Sequence, residues 1–295
     1  MPANFPEVWS ARVIQLLTTQ DVAPWLDGIP ELDVDVTVMG EGSAGEANLI
    51  HLPIETFQPE VLINNSTYPI AVQEFTDTEV IIKLDKYQTL ATSLSDDQII
   101  GASYSRIDSA TRGHRTVINS SKYRKAIHAQ APASNTDKTP VVKLADYSGD
   151  VYKAIVALKD KLDDQEVPDE GRRLVLSTKH YNALLDKESR FSNLLANINT
   201  GKVAPVIAGF EIFSYVGNPR YTEAGVKKAF NAVKESTDKI ASVAFHKDNV
   251  AKKTGMTKQY FSKASEAPTT QTNLLNYRHY FIALPAKNEM IGAII

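Results

Sequence analysis

The sequence predicts an α+β protein built from unlike parts, and three stretches carry that prediction. From Ser95 to Ala131, apolar or small residues recur close to the helical period, at Ile99, Ile100, Tyr104, Ile107, Ala110, Val117, Ile118 and Ile127, the pattern of one long amphipathic helix. From Asp33 to Thr76 the chain reads as an extended ribbon, with Val34, Val36 and Val38 alternating before Gly40, Gly42 and Gly45. After Thr139, short β-type runs alternate with helix-type runs, as in a compact α/β unit.

Composition bounds the chemistry. A chain of 295 residues can bury a substantial core in one large domain or two. A net charge of −3 makes no demand for nucleic acid or membrane as a direct partner. Cysteine is absent, which excludes disulfides, thiolate metal sites and cysteine nucleophiles. The opening Met1 to Pro6 lacks the basic and apolar regions of a secretory signal. No run approaches the ~18 apolar residues that suggest a bilayer span, so a cytoplasmic protein is expected.

Glu7 to Thr18 predicts a short amphipathic helix, with Val8, Val13, Leu16 and Leu17 on its apolar side and Trp9 adjacent. It can cap a domain or lie as an arm on another subunit. In the ribbon, a second extended run spans Leu49 to Pro53, and Pro59, Asn64, Asn65 and Pro69 punctuate the rest. The ribbon carries Asp33, Asp35, Glu41, Glu46, Glu55, Glu60 and Glu74 but no lysine or arginine. It therefore holds a charge of −7 and leaves +4 elsewhere. It reads either as a solvated acidic hairpin or as an acidic arm on a basic neighbour. The long helix offers such a surface in Arg106, Arg112, Arg115, Lys122, Arg124 and Lys125.

Glu79 to Leu84 predicts a strand, and Tyr87 to Leu94 a second extended piece entering the helix. Ser95 with Gln98 three residues on is a capping-box start, Asp96 and Asp97 suit the helix dipole, and Pro132 ends the helix. About 36 residues at 1.5 Å each would span roughly 54 Å, longer than a small domain is wide. Gly113 marks where two shorter helices would break instead. Pro132 to Thr139 is a linker. Ser148 then caps a helix whose Val151, Ile155, Leu158 and Leu162 share a face. Arg173 to Ser177 is a buried strand. Helices follow near 179–186 and 191–198, then Val203–Ile207, a turn at Gly209 and a strand over 210–216. A helix over Thr222–Lys234 and a strand over Ile240–His246 precede a strand-like tail, 274–284 and 289–295, interrupted by Pro285.

Several motifs invite catalytic readings. Gly40 to Gly45 matches GxGxxG, yet an extended run follows where a helix must open, and Glu41 and Glu46 would repel phosphate. Asn199-Thr200-Gly201-Lys202 has Ala196 where a phosphate loop needs its upstream glycine, and Val203 replaces its Ser/Thr. Ser177 and His180 follow a strand without a GxSxG elbow, so Ser177 is expected to cap the next helix. Asp163, Asp164, Glu166, Asp169 and Glu170 read as a solvated run rather than a cation site. No catalytic residue, cofactor or metal is expected.

The run Val167-Pro168-Asp169-Glu170-Gly171-Arg172-Arg173-Leu174-Val175-Leu176-Ser177-Thr178-Lys179-His180-Tyr181 resembles the "VPxxxRxxVLSPxxY" passage of tailed-bacteriophage major capsid proteins of the Hong-Kong-97 type, with Thr178 in the usual proline position. Gly201–Val216, with Ile207-Ala208-Gly209-Phe210-Glu211-Ile212, is similar to that family's next strand-turn-strand. Ser242-Val243-Ala244-Phe245-His246-Lys247-Asp248 resembles its "AxAFHKDAV" strand. Pro6-Glu7-Val8-Trp9-Ser10 resembles the opening of its arm, and Thr78–Lys86 its strand before the long helix. The matches keep the family's order across most of the chain.

The resemblance implies an N-terminal arm over 1–32, an extended loop over 33–76 and a peripheral domain over 77–140 with the helix as its spine. It implies an axial domain over 141–260 and C-terminal strands, 261–295, returning to the peripheral domain. It further implies self-assembly as hexamers and pentamers into an icosahedral virion shell around double-stranded DNA, made in a bacterial cytoplasm, with a portal, no membrane and no enzymatic role. Trp9, Glu41, Glu46, Arg106, Arg112, Arg115, Lys122 and Arg124 are the expected interface residues. Some family members weld neighbours through a loop lysine; the absence of one between Asp33 and Thr76 predicts a shell without such bonds. The short stretch before Pro6 predicts a separate scaffolding protein. A cargo-enclosing nanocompartment shares the fold, and an α/β enzyme using Ser177 and His180 is the reading from another class.

Overall fold

The computed structural model describes residues 23–33, 49–55, 59–74, 77–95, 103–185, 196–197, 202–203, 205–266, 269 and 271–295. In chain order the strands are β1 (Leu49–Glu55), β2 (Asp77–Lys83), β3 (Asp85–Gln88), β4 (Thr92–Ser95), β5 (Val141–Val142), β6 (Arg172–Leu176), β7 (Ala196–Asn197) and β8 (Lys202–Val203). They continue as β9 (Val206–Ile207), β10 (Phe210–Ser214), β11 (Arg220–Tyr221), β12 (Lys239–Ile240), β13 (Ser242–His246), β14 (Val250–Ser262), β15 (Thr272–Pro285) and β16 (Ile291–Ile294). The α-helices among the described residues are α1 (Ser103–Gln130), α2 (Val151–Asp163) and α3 (Thr178–Leu185).

A six-stranded mixed sheet, ordered β5-β16-β13-β6-β10-β9, forms the centre of the compact unit. Successive side chains of a strand point to opposite faces, and this sheet buries both. Leu174, Leu176, Ala244 and Ile294 pack with Ile155, Leu158 and Leu162 of α2. Val175, Val243, Phe245 and Ala293 pack on the other face with Ile127 of α1 and with Trp25. That double burial explains why Leu174, Val175 and Leu176 of β6 are consecutive apolar residues rather than an alternating pattern. Trp25 is fully buried, meets Phe245 and Tyr215 edge-on, and its carbonyl accepts from Arg173 Nη1 at 2.9 Å. Gly292 of β16 lies under α2, where an added Cβ would come within 2.7 Å of Leu158 Cδ1.

A second sheet pairs β14 with β15 and sets β3 and β4 along the other edge of β15. Helix α1 packs on this sheet through Ile118, Tyr123 and Ile127. It runs unbroken through Gly113, which is exposed; 28 residues span about 42 Å. The break at Gly113 does not occur, because packing on β15 outweighs a propensity cost of about 1 kcal/mol. Among the described residues no helix is long and apolar enough to cross a membrane.

Several sequence expectations need correction. Ser95 closes β4, paired with Thr272, so the described helix begins at Ser103; Asp96, Asp97 and Gln98 lie outside the described residues. Asp150 caps α2 instead of Ser148, accepting from the N–H groups of Tyr152 (3.0 Å) and Lys153 (3.4 Å). Ser148 takes the left-handed conformation that closes the preceding 3-10 turn. Ala196–Asn197 is a strand paired with β8, where a helix over 191–198 was expected; the rest of that span lies outside the described residues. Thr222–Lys234 is not helical. Gly225 and Asn231 adopt positive φ there, and Lys227 turns inward to the end of α1. The tail divides: β15 runs with the strands beside α1, whereas β16 joins the six-stranded sheet.

Candidate assembly interface

The Leu49–Pro53 run pairs antiparallel not within the ribbon but with β2, in register from Leu49 opposite Lys83 to Glu55 opposite Asp77. Alternation does the rest. Ile50 and Ile82 turn inward onto Leu84, Ala251 and Ile282, while Ile81 stands exposed. The two strands thus anchor a projecting segment. Within it, residues 59–74 form no helix or strand and are exposed almost throughout. Their shape comes from polar turns: the Thr67 N–H donates to Asn65 Oδ1, the Asn65 amide to Thr67 O, both at 2.9 Å, and the Glu60 N–H to Gln73 Oε1 at 3.0 Å.

Those turns hold apolar side chains in solvent. Val61, Leu62, Ile63, Tyr68, Ile70 and Val72 are all exposed, Ile63 at 83% and Val72 at 94%. Scattered exposed apolar residues are ordinary, but a contiguous run on a projecting element marks an interaction surface. The ribbon's one-sided charge does not mark this surface. The overlooked signal is an apolar run with neither helical nor strand period, lying between Pro59 and Pro69.

The basic residues of α1 divide between two faces. Arg112 and Arg124 are exposed on one line with Thr116 and Ser120, about 18 Å apart. Arg115 and Lys122 turn inward, so the expected stripe of exposed cations is split. Lys122 lies over the rings of Tyr123 and Phe281. The Arg115 guanidinium meets no acceptor among the described residues, and burial, with Arg112 nearby, lowers its pKa. Of Arg106 only the helical backbone is described, and Trp9, Glu41 and Glu46 lie outside the described residues, as does the expected helix over 7–18. Alongside α1, a groove of about 710 Å³ runs past Leu90, His114 and Val117; Leu90 and Val117 are exposed.

The Ser177–His180 pair and the acidic run are engaged in structural contacts, while residues 40–45 and 199–201 lie outside the described residues. Ser177 caps α3, its Oγ accepting the His180 N–H at 3.4 Å, as the sequence predicted. His180 Nδ1 pairs instead with Ser242 Oγ at 2.7 Å. In the acidic run, Asp163 binds Lys159 and Arg172, each at 2.6 Å, and Asp169 binds Arg172 at 3.1 Å. Lys159 and then Arg172 hold the Asp163 carboxyl below the usual carboxylate range. Among the described residues no cluster of histidines and carboxylates is placed to hold a metal ion.

A family model described as phage capsid protein matches residues 77–289. No match was found among curated proteins. Among solved structures, the chain resembles one from Mycobacterium phage Che8 at 15% identity and a TM-score of 0.58, covering 88% of this chain and 86% of that one. The capsid of cyanophage P-SCSP1u aligns at 15% identity and 0.58, over 84% and 83%. A virus-like particle from Pyrococcus furiosus aligns at 10% identity and 0.59, over 99% and 100%. The shared fold is the Hong-Kong-97 type.

Proposed function

The chain belongs to the phage capsid protein family and is a capsid shell protein; on that premise we propose that copies of it assemble as hexamers and pentamers into an icosahedral shell around double-stranded DNA. The observation that carries this is the segment 59–74, whose apolar side chains stay exposed without cover among the described residues. Within one subunit that arrangement only loses hydrophobic free energy, at about 25 cal/mol per Å² left wet. Against a second copy it becomes the contact. The role is structural rather than catalytic.

In this reading residues up to about 32 are the arm, 33–76 the extended loop, 77–140 with the C-terminal strands the peripheral domain and 141–260 the axial domain. Two strands cross those bounds: β14 goes with β15, and β16 with the six-stranded sheet. The ribbon's seven acids would meet the exposed Arg112 and Arg124. Scaffolding protein and portal are the expected partners, and a virion assembled in a bacterial cytoplasm the expected setting. Boiling particles in SDS should release single chains, because the 33–76 segment holds no lysine to form a weld.

Electron microscopy of the purified chain, alone and with candidate scaffold, tests the proposal. Closed shells, tubes or ring-shaped capsomers are expected; a monodisperse small oligomer under every condition would overturn it. The end-to-end likeness to the Pyrococcus furiosus particle favours one second reading, a compartment enclosing protein cargo. Nucleic acid content of particles recovered from their native source separates the two.

A further inference from the structure

A cavity of about 660 Å³ lies beside the six-stranded sheet, walled by residues ahead of α2, by the first turn of α3 and by the segments around β11 and β12. His180 lines it and is 4% exposed. The chemistry of that ring follows from Ser242. Its hydroxyl accepts the Ser177 N–H at 2.9 Å and has one hydrogen of its own to give. His180 Nδ1, 2.7 Å away, is the acceptor for it among the described residues. With Nδ1 accepting, the neutral imidazole carries its proton on Nε2. That N–H meets no acceptor among the described residues. A donor that lines a cavity and has no partner among the described residues is open to water or to an acceptor from outside.

The charge around it is one-sided. Lys143, Lys179, Arg220, Lys234 and Lys239 line the walls. Of the two acidic side chains there, Asp238 is occupied by Lys228 at 2.7 Å, which leaves Glu223 as the free one, and the Ile295 backbone oxygen that lines the cavity is held by the Leu144 N–H at 2.8 Å. Lys179 and His180 also belong to the first turn of α3, at the positive end of its dipole. A single phosphate would leave most of this volume to water, whereas two or three linked phosphates match both the space and the surplus of cations.

We propose that this cavity binds a chain of linked phosphates, with His180 Nε2 donating to a phosphate oxygen and the surrounding lysines and arginine balancing the remaining charge. The site lies within one chain and does not depend on assembly. Free oligophosphate and a nucleic acid backbone offer the same chemistry, so both are tested.

Isothermal titration calorimetry on the full chain, with sodium tripolyphosphate and separately with a short single-stranded oligonucleotide, reads the affinity. Replacing His180 would orphan Ser242 in the core, so the test uses Lys234→Glu with Lys239→Glu, both exposed. Its control is Lys161→Glu with Lys263→Glu, exposed lysines outside the cavity and of equal charge change. The expected result is saturable tripolyphosphate binding, weakened at least tenfold by the cavity pair and little changed by the control pair. If the oligonucleotide shows the same loss in the cavity pair alone, the backbone is a source and the site stands. Absence of saturable binding by either probe at millimolar concentration, or equal loss in both pairs, overturns the proposal.

Discussion

Burial keeps two histidines of this fold uncharged. His279 shares a hydrogen bond with Thr257 Oγ1 at 2.9 Å, stacks on Phe281 and leaves Nε2 without a partner. Its burial, with Lys122 nearby, lowers its pKa to about 3, and burial with Lys179 lowers that of His180 to about 4. The unfolded chain takes up a proton on each near the ordinary 6.5, and the folded chain does so only far lower. Between those values the unfolded state binds more protons, so stability falls as pH falls below 6.5. At pH 5 the loss is about 2 kcal/mol per histidine. Melting temperature should therefore drop between pH 7 and pH 5. His279→Phe keeps the stacking and removes one titration, so it should flatten that drop; an unchanged slope would exclude His279 as a source. A second residue-scale prediction concerns Arg172, whose buried guanidinium binds Asp163 at 2.6 Å, Pro168 O at 3.0 Å and Val167 O. Asp163 is half-exposed and keeps Lys159, so Arg172→Met should cost roughly 2–3 kcal/mol in urea denaturation, less than a fully buried pair would. Stability within 0.5 kcal/mol of the parent would mean that Arg172 holds nothing in place.

Single elements show how distant residues finish what local sequence begins. The last turn of α1 leaves carbonyls unsatisfied, as every helix does. Lys227, ninety-six residues beyond Ala131, donates from Nζ to His128 O at 3.1 Å and to Ala131 O at 2.5 Å. Lys227→Met keeps the stem and loses both bonds, at a cost of about 1–2 kcal/mol. Amide exchange should rise over residues 127–131 and stay unchanged near the middle of α1; a uniform rise would argue against a local cap. The same contact explains a misread element. Thr222–Lys234 has helical composition, but its cation is pulled onto a helix distant in sequence, and Gly225 and Asn231 turn the chain. Such long-range demands are invisible to a local window. By contrast, α2 was legible because its partners cover the face that its own periodicity marks, and β6 because burial on both faces leaves consecutive apolar residues. The β1 run reads as extended, yet its partner β2 lies beyond the prolines, which alternation alone does not specify. Of the expected ribbon, residues 34–48 lie outside the described residues, and its described part, 59–74, carries exposed apolar side chains that its one-sided charge does not signal. The apolar run is present in the sequence without a helical or strand period, whereas the inward turn of Lys122 depends on which face of α1 the second sheet covers.

For the whole molecule, the question is which force joins one copy to the next, and two features of the ribbon answer differently. Its acids would steer and register neighbours, an effect that salt screens over about 8 Å at physiological ionic strength. Its apolar run would supply adhesion, which salt does not screen in that way. Ile63 and Val72 are nearly free of contact in the single chain, so changing them should leave subunit stability within about 0.5 kcal/mol. Each buried against a neighbour contributes roughly 2 kcal/mol, and a closed shell repeats that contact in every copy. Ile63→Asp with Val72→Asp should therefore give a folded chain of unchanged melting temperature that forms no shells by sedimentation or electron microscopy. Glu41→Lys with Glu46→Lys, also expected to remain folded, should impair assembly most at low salt, where the parent pairing is strongest. If the aspartate pair assembles normally, the apolar segment is not the adhesive surface. If assembly of the parent chain is indifferent to salt and the lysine pair forms normal shells, the acidic ribbon does not dock on a basic neighbour, and its charge serves solubility alone.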